Sequence, residues 1–290
     1  MAVSKPRGRE AERLGMNAAG DNSRYALGHS DRELERLSAQ ARLVDPITRQ
    51  LLLEAGIGLG MRVLDVGSGA GDVAFLLAEL VGESGEVVGV DRARGALAVA
   101  RARADEDSRR NVSFLEGDPT RMAFERGFDA VVGRYVLQFQ PDPVAALRAL
   151  ARHLQPGGIV AFHELDWDGV RSFPPSPTFD RCCGWIVETL GMLGAETRMG
   201  IKLHSTFVAA GLPAPSMRLG AVVGGGADSA DCLELVTDLV ETLLPDMERL
   251  GVATAADIGV DTLSERITHE VISSDSVIVG RSEIGAWSRV

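Results

Sequence analysis

The residues with the clearest chemical use lie in one short segment, Val63–Asp72, whose sequence is VLDVGSGAGD. An apolar run, a turn with three glycines and a helical pattern follow one another there. Gly67, Gly69 and Gly71 let the backbone turn sharply and approach a ligand closely. The helix after the turn has free backbone N–H groups at its start, which suit either a pyrophosphate or a carboxylate.

The acidic residues of this segment separate those two kinds of ligand. Dinucleotide-binding turns have the spacing GxGxxG, whereas this turn has GxGxG with Asp72 in place of the last glycine. A carboxylate there would oppose a pyrophosphate, and Asp65 adds further negative charge just before the turn. The pattern therefore favours the amino group of a zwitterionic ligand, and an NAD(P)-dependent oxidoreductase is the weaker alternative.

The elements around this turn predict an α/β fold with a Rossmann-like, mostly parallel sheet. Short apolar runs alternate with helical patterns, which is typical of βαβ units. The predicted strands are 62–66, 86–90, 112–115, 128–132 and 159–162, and the predicted helices between them are 72–81, 94–106 and 142–153. The carboxyl ends of parallel strands meet at one edge of the sheet, where ligands bind.

The chain is predicted to be one domain over residues 25–290, preceded by a flexible arm over residues 1–24. Its predicted parts are a helical cap (25–58), a cofactor-binding core (59–165) and acceptor-pocket helices with closing strands (166–290). Pro46 is expected to divide residues 31–55 into two helices. The last part is predicted to hold a Pro-rich loop at 171–178, helices at 179–193, 200–210, 229–250 and 254–270, and strands at 217–223 and 276–281.

Composition limits the class of partner. The net charge of −11 opposes the phosphate backbone, so a nucleic acid is not expected. The three cysteines form no CxxC, so neither a disulfide framework nor a metal site is predicted. No run of eighteen apolar residues and no apolar leader occurs, which predicts a cytoplasmic protein without a membrane span. The sequence leaves open whether the protein forms a homo-oligomer.

The segment Val63–Asp72 resembles motif I of class I S-adenosylmethionine-dependent methyltransferases. The resemblance continues in order with Asp91 in VVGVD, Asp118 in FLEGDPT, the segment FDAVVGR that ends at Arg134, and the turn LQPGG. It covers roughly residues 59–165 and is strongest to the ubiquinone/menaquinone C-methyltransferase-like branch. It implies a seven-stranded sheet and S-adenosyl-L-methionine as the cofactor.

The resemblance assigns roles to single positions. It implies that Asp91 binds the ribose hydroxyls and that Asp118 accepts from the adenine amino group. Pro119 departs from the branch, which commonly has alanine there, and proline has no N–H to offer the adenine. The predicted cofactor contacts are Tyr25, Asp65, Gly67, Gly69, Gly71, Asp91, Arg92, Asp118, Pro119, Gly133 and Arg134.

Each of these residues also has a structural alternative. Asp65 and Asp91 could cap backbone N–H groups, Arg92 could be a solvated surface residue, and Arg134 could pair with a structural acid. Tyr25 is expected to line a lid over the methyl donor, and its alternative is a surface position.

The acceptor side is predicted from the end of strand five and the region beyond it. His163 and Glu164 end that strand, and because successive strand residues face opposite sides, only one of them is expected to enter the pocket. Either could be a general base, and either could cap local backbone. The predicted substrate contacts are His29, Trp167, Trp185 and Arg198, with core packing as the alternative for the tryptophans.

The predicted function is methyl transfer from S-adenosylmethionine to a small organic acceptor. A secondary-metabolite or quinone-like acceptor is expected, with O-methylation as the first choice and C-methylation close behind. The alternative from another class is a non-catalytic or cyclase-type protein that binds S-adenosylmethionine, since a fold alone does not settle activity.

Overall fold

The computed structural model describes the backbone of residues 31–290 and the side chains of Ala41 and of residues 43–290. The predicted arm over residues 1–24 and the predicted contacts Tyr25 and His29 therefore lie outside the described residues.

A single mixed sheet forms the centre of the described chain. Its strands are β1 (Arg62–Val66), β2 (Glu86–Asp91), β3 (Val112–Glu116), β4 (Phe128–Arg134), β5 (Leu154–Asp166), β6 (Arg171–Phe173), β7 (Ser216–Gly225) and β8 (Val277–Arg289). The order is β3-β2-β1-β4-β5-β8-β6, and β7 also pairs with β8. Strands β1 to β5 run parallel, and β8 runs antiparallel to its three neighbours. The predicted Rossmann-like, mostly parallel α/β fold is confirmed.

Helices cover both faces of this sheet. They are α1 (Asp31–Ala55), α2 (Asp72–Val81), α3 (Arg94–Glu106), α4 (Pro143–Ala151), α5 (Pro177–Met192), α6 (Met199–Ala209), α7 (Ala230–Leu250), α8 (Ala255–Ile258) and α9 (Leu263–Ser273). Alternate strand residues point to opposite faces, so Val63 packs with α1, α2 and α3 while Leu64 packs with α4 and α6. A third apolar cluster joins α5, α7 and α9 beyond β5.

The prediction of two helices separated by Pro46 is wrong, because α1 is one helix that contains this proline. A proline inside a helix costs about 3 kcal/mol. Burial of the following turns offsets that cost, since Leu51 and Leu52 are fully buried. Leu51 occupies the space that a side chain at Gly285 of β8 would need, its Cδ1 lying 1.5 Å from the Cβ position there.

Three predictions in the C-terminal part need correction. Part of the predicted loop at 171–178 forms the edge strand β6, because β8 offers it a pairing partner. The predicted helix at 254–270 is divided into α8 and α9, and Gly259 has the left-handed conformation that ends α8. The predicted strand at 276–281 continues to Arg289, since it pairs with β5 along its second half.

Candidate active site at the carboxyl edge of the parallel strands

The glycine turn after β1 is anchored to β2 and open on its outer side. The N–H groups of Gly67 and Ser68 donate to the carbonyl of Val90, at 2.8 and 3.1 Å. Gly69 has φ +51°, and nothing lies within 4 Å of the position that its Cβ would take. This open space beside a left-handed glycine is where a ligand can approach the backbone.

Asp65 lies under this turn and is only 1% exposed. Its Oδ2 has no hydrogen-bond partner among the described residues. Burial raises the pKa of this carboxyl to about 8, although the charge of Arg134 opposes the rise. A buried carboxylate without a partner is costly, so the site is suited to a cationic group that would supply one.

Asp91 ends β2 and reaches across to the turn. Its Oδ2 accepts from the Gly69 N–H at 2.9 Å, and its Oδ1 accepts from the Ala93 N–H at 2.7 Å. The alternative of a helix N-cap is not what the structure has, because the N-cap of α3 is Ala93 and no side chain caps this helix. Each carboxylate oxygen of Asp91 retains a further lone pair, so its two bonds leave room for the predicted contact with ribose hydroxyls.

Asp118 and Arg92 form an ion pair at the next strand end, with 2.7 Å between Arg92 Nη2 and Asp118 Oδ2. Burial would raise the pKa of Asp118, but hydrogen bonds from Thr120 and the charge of Arg92 hold it below its ordinary value. The carbonyl of Pro119 lies 2.7 Å from His153 Nε2. Each carboxylate oxygen of Asp118 thus already has protein partners, and the predicted adenine contact stays a prediction.

Gly133 and Arg134 end β4 at the same edge. A side chain at Gly133 would collide with the ring of Phe162, which lies 2.5 Å from the Cβ position, so packing alone requires this glycine. Arg134 is nearly buried and donates to Asp45 Oδ1 at 2.7 Å and to Thr48 Oγ1 at 3.0 Å, both on α1. Arg134 therefore has the structural acid that the sequence left as its alternative.

His163 and Glu164 face different partners, as alternation along β5 requires. Nδ1 of His163 lies 3.1 Å from Thr48 Oγ1. Nε2 lies 3.0 Å from Glu283 Oε2, without a hydrogen bond of good geometry. The Glu164 carboxylate accepts from the N–H groups of Val136, Leu137 and Gln138 at 2.9, 2.7 and 3.3 Å.

Glu164 thus caps the 3₁₀ turn Leu137–Phe139 that follows β4. Burial raises the pKa of Glu164 to about 8 in spite of these three hydrogen bonds. Its oxygens are all directed at backbone, which matches the capping alternative, and a direct role as a base stays a prediction.

The three predicted acceptor contacts of the described region are not brought together. Trp167 lines a cavity of about 510 Å³ with Val170, Cys183 and Val187. Trp185 lines a different and smaller cavity beside Arg266. Arg198 is half-exposed and forms an ion pair with Asp168 at 2.8 Å.

Sequence reasoning missed a buried polar cluster beside His163, which we call the Tyr135 cluster and define as Tyr135, His163, Arg281 and Glu283. Tyr135 donates to Glu283 Oε2 at 2.6 Å, and Arg281 Nε donates to Glu283 Oε1 at 3.1 Å. The Tyr135 hydroxyl follows β4 directly, so its position at the strand end was a usable signal. Arg281 and Glu283 lie in β8, and nothing in the local sequence places them there.

Within residues 31–290, no helix combines the length and apolar character needed to cross a bilayer. No group of three or more His, Cys, Asp or Glu side chains among the described ones is arranged to hold a metal ion. The three cysteines are buried and unpaired with one another.

Comparison with known proteins identifies the core of this site. Residues 57–178 match a family model described as a methyltransferase domain. This segment is thus similar to a methyltransferase domain. It contains the glycine turn, Asp91, Asp118 and the carboxyl ends of β4 and β5.

Two named proteins are similar to this chain in sequence. A demethylmenaquinone methyltransferase of Lactococcus lactis is 40% identical over 35% of this chain and 40% of the relative. An aklanonic acid methyltransferase of a Streptomyces species is 38% identical over 47% of this chain and 62% of the relative. The chain thus spans less than two thirds of the length of these relatives.

A solved structure resembles more of the chain. A putative methyltransferase of Bacillus halodurans superposes with a TM-score of 0.55 at 18% identity, covering 83% of this chain and 96% of that one. At this identity the likeness shows the fold alone. The family match thus covers residues 57–178, from β1 to β6, and the likeness in fold extends over more of the chain.

The resemblance implies S-adenosylmethionine as the cofactor, and the residues present fit it. The open space at Gly69 admits a ligand next to the backbone. The unpartnered Oδ2 of Asp65 can receive a cationic amino group. Asp91 offers carboxylate oxygens at the edge of the same turn.

Proposed function

We propose that this chain is an S-adenosylmethionine-dependent methyltransferase that acts on a small organic acceptor of secondary-metabolite or quinone-like type. The observation that carries the proposal is the glycine turn, where open space, the orphaned carboxylate oxygen of Asp65 and the Asp91 carboxylate meet. The named relatives, which act on demethylmenaquinone and aklanonic acid, support an acceptor of this kind.

The cofactor supplies an activated methyl group on a sulfonium when it is bound. The residues of this chain bind the cofactor and orient it. Asp65 is proposed to pair with the cationic amino group, which would relieve the cost of its burial. Asp91 is proposed to bind the ribose hydroxyls through lone pairs that Gly69 and Ala93 leave free. Arg92 and Asp118 would then flank the adenine.

The acceptor is proposed to lie between the ends of β4 and β5 and the helices that follow β5. Holding an acceptor in line with the methyl–sulfur bond and excluding water account for much of the rate in such a transfer. His163 and Glu164 have their polar atoms close to protein partners. An acceptor that is already ionised needs no base, so O-methylation remains the first choice and C-methylation follows it.

The remaining site assignments stay proposals. Tyr25 would line a lid over the methyl donor and His29 the acceptor side. Trp167 has the position best suited to an acceptor wall because it lines the larger cavity. The cap, core and acceptor-pocket division at residues 58 and 165 is also proposed.

The proposal is tested by calorimetric titration of the protein with S-adenosylmethionine. We expect micromolar binding to the wild type and a roughly ten- to hundredfold weaker affinity for Asp91→Ala, because hydrogen bonds to a charged group are lost. Asp105→Ala is the control, since Asp105 is exposed on α3. A wild type that does not bind the cofactor would contradict the proposal.

Transfer itself is measured by incubating the protein with S-adenosylmethionine and a panel of hydroxylated naphthalenes and naphthoquinones, with mass spectrometry of the products. Products heavier by one methylene unit would establish catalysis. Tight cofactor binding without any methylated product would favour the non-catalytic or cyclase-type alternative.

A further inference from the structure

Arg103 lies on α3 and reaches the end of the glycine turn that follows β1. Its Nη1 donates to the carbonyl of Ala70 at 2.7 Å and to Asp72 Oδ1 at 2.9 Å. This nitrogen carries two hydrogens, so it can make both bonds at once. The guanidinium also lies over the ring of Phe75 in α2, 4.9 Å from its centre. Arg103 therefore joins α3 to the turn and to the first turn of α2.

The glycine turn needs such contacts because its backbone is hard to hold in one shape. Gly67, Gly69 and Gly71 all have positive φ, at +67°, +51° and +94°. Glycine loses more conformational freedom on folding than any other residue, so this turn is costly to order. A bond that orders the turn in the free protein reduces the ordering that ligand binding would otherwise have to bring about.

The turn is held along its whole length by the unit that β2 and α3 form. The carbonyl of Val90 binds the beginning of the turn, and the carboxylate of Asp91 binds the middle. Arg103 binds the end. Val90 and Asp91 lie within β2 itself, whereas Arg103 reaches the turn from the third turn of α3 through a long side chain.

The peptide group between Ala70 and Gly71 shows what Arg103 contributes. The Gly71 N–H donates to the Ser68 carbonyl at 2.8 Å. The carbonyl of Ala70, on the other side of the same peptide group, accepts from Arg103. Arg103 thus supplies one of the two bonds that fix this peptide plane, and the bond is a strong one because its donor is charged.

We propose that Arg103 is a positioning residue for the cofactor, which holds the end of the glycine turn in the shape that binds S-adenosylmethionine. It acts through the backbone of the turn. The inference rests on the proposed function, because it concerns the same cofactor site. Asp72 has a supporting part, since it keeps the guanidinium in place and Arg103 balances its charge.

Arg109 provides a matched control. Its guanidinium lies over the same ring of Phe75, at 5.2 Å, and pairs with Asp107 and Glu79 at 3.1 and 3.4 Å. Its backbone contact is the carbonyl of Phe75 in α2 and not a carbonyl of the turn. The side chains of Arg103 and Arg109 are 36% and 26% exposed, so the two differ mainly in the bond to the turn.

Hydrogen exchange tests the positioning directly in the protein without cofactor. Methionine keeps an unbranched apolar side chain over Phe75 and removes the hydrogen bonds of the guanidinium. Arg103→Met should speed amide exchange in residues 66–72 by about tenfold, as measured by mass spectrometry of the peptides that cover them. Arg109→Met should leave the exchange of this segment within about twofold of the wild type. Unchanged exchange in Arg103→Met would overturn the inference.

Calorimetric titration with S-adenosylmethionine measures the consequence for binding. We expect Arg103→Met to bind the cofactor about three- to tenfold more weakly than the wild type, and Arg109→Met to bind it equally well. Arg103→Lys should recover most of the affinity, because an ammonium can donate to both acceptors. Urea unfolding of each variant reports its stability separately. A merely structural Arg103 would lower stability and leave the affinity unchanged, and that result would refute the proposal.

A second substitution separates position from charge. Arg103→Met leaves Asp72 without its counter-charge, whereas Arg103→Met combined with Asp72→Asn removes both charges. We expect the double variant to bind S-adenosylmethionine as weakly as Arg103→Met, because the carbonyl of Ala70 still lacks its donor. Recovery of the wild-type affinity would show that Arg103 acts through charge alone, against the inference. A wild type that binds no cofactor would refute the proposed function, and the exchange experiment would still decide whether Arg103 holds the turn.

Discussion

Asp65 and Glu283 are equally buried, at 1% and 2% exposure, yet their carboxyl groups behave in opposite ways. Asp65 has an oxygen without a partner, and burial raises its pKa to about 8. Glu283 is surrounded by Arg281, Tyr135 and His163, and its pKa falls to about 2. The region below the glycine turn therefore has a buried carboxyl oxygen without a partner, whereas the region around Glu283 has its charges already balanced.

The largest expected effect on stability comes from breaking the ion pair between Glu283 and Arg281. Glu283→Gln leaves Arg281 buried without its counter-charge, so we expect the free energy of unfolding to fall by about 3–5 kcal/mol. Urea unfolding measures this. Glu265→Gln is the control, because Glu265 is exposed on α9 and should change stability by less than about 0.5 kcal/mol. Similar effects of the two substitutions would show that the Tyr135 cluster is not a stabilising unit.

The buried carboxyl group of Asp65 should make the stability of the protein depend on pH. The folded-state pKa of Asp65 is raised from 3.8 to about 8, so the stabilisation is full below pH 3.8 and is lost as the pH rises towards 8. Without cofactor, this residue should reduce the free energy of unfolding by up to roughly 1.4 kcal/mol per pH unit in that range. Asp65→Asn should remove this contribution in urea unfolding at pH 5, 6 and 7.

Glu164 has a pKa raised in the same direction, so part of the slope should remain in Asp65→Asn. The pKa of Glu283 is shifted the other way, from 4.5 to about 2, so its stabilisation is lost only as the pH falls and it adds little to the slope between pH 5 and 7. Asp105→Asn on the surface of α3 is the matched control. An unchanged slope in Asp65→Asn would mean that the folded protein does not raise the pKa of this carboxyl above its ordinary value.

A smaller effect is expected from two glycine substitutions, which together distinguish blocked ligand binding from backbone strain. Gly69→Ala places a methyl group in the open space of the turn at φ +51°, whereas Gly211→Ala does so at φ +83° after α6, where nothing lies nearby. Both should cost about 1–2 kcal/mol of stability through the left-handed conformation. Only Gly69→Ala should weaken the affinity for S-adenosylmethionine, by about tenfold or more in calorimetry. An equal affinity of both variants would place the ligand elsewhere.

The strands β1 to β4 and the glycine turn were predicted well because their signals are local. The glycines of the turn, the strand runs and the aspartates at the strand ends lie within short segments whose residue types suffice to recognise them. The region around Glu283 could not be predicted in the same way. Tyr135 and Glu283 meet only because β8 pairs with β5, and no periodicity in either segment reveals this pairing.

The errors in the fold have related physical causes. Pro46 predicts a helix break from local geometry, but burial of Leu51 against Gly285 decides the outcome. The strand β6 is short and lies within a predicted loop, and it exists because the edge of β8 is available for pairing. In both cases contacts between distant segments outweigh the local preference.

The position of β8 in the chain also has a consequence for biosynthesis. The ribosome delivers β1 to β4 and the glycine turn well before residues 277–289, and these earlier elements pair mostly with neighbours close in sequence. The nascent chain can thus assemble its cofactor turn while β5 still has one edge without its final partner. Until β8 emerges, His163 lacks Glu283 and the exposed edge of β5 is open to aberrant pairing, so chaperone demand should be greatest at that stage of translation.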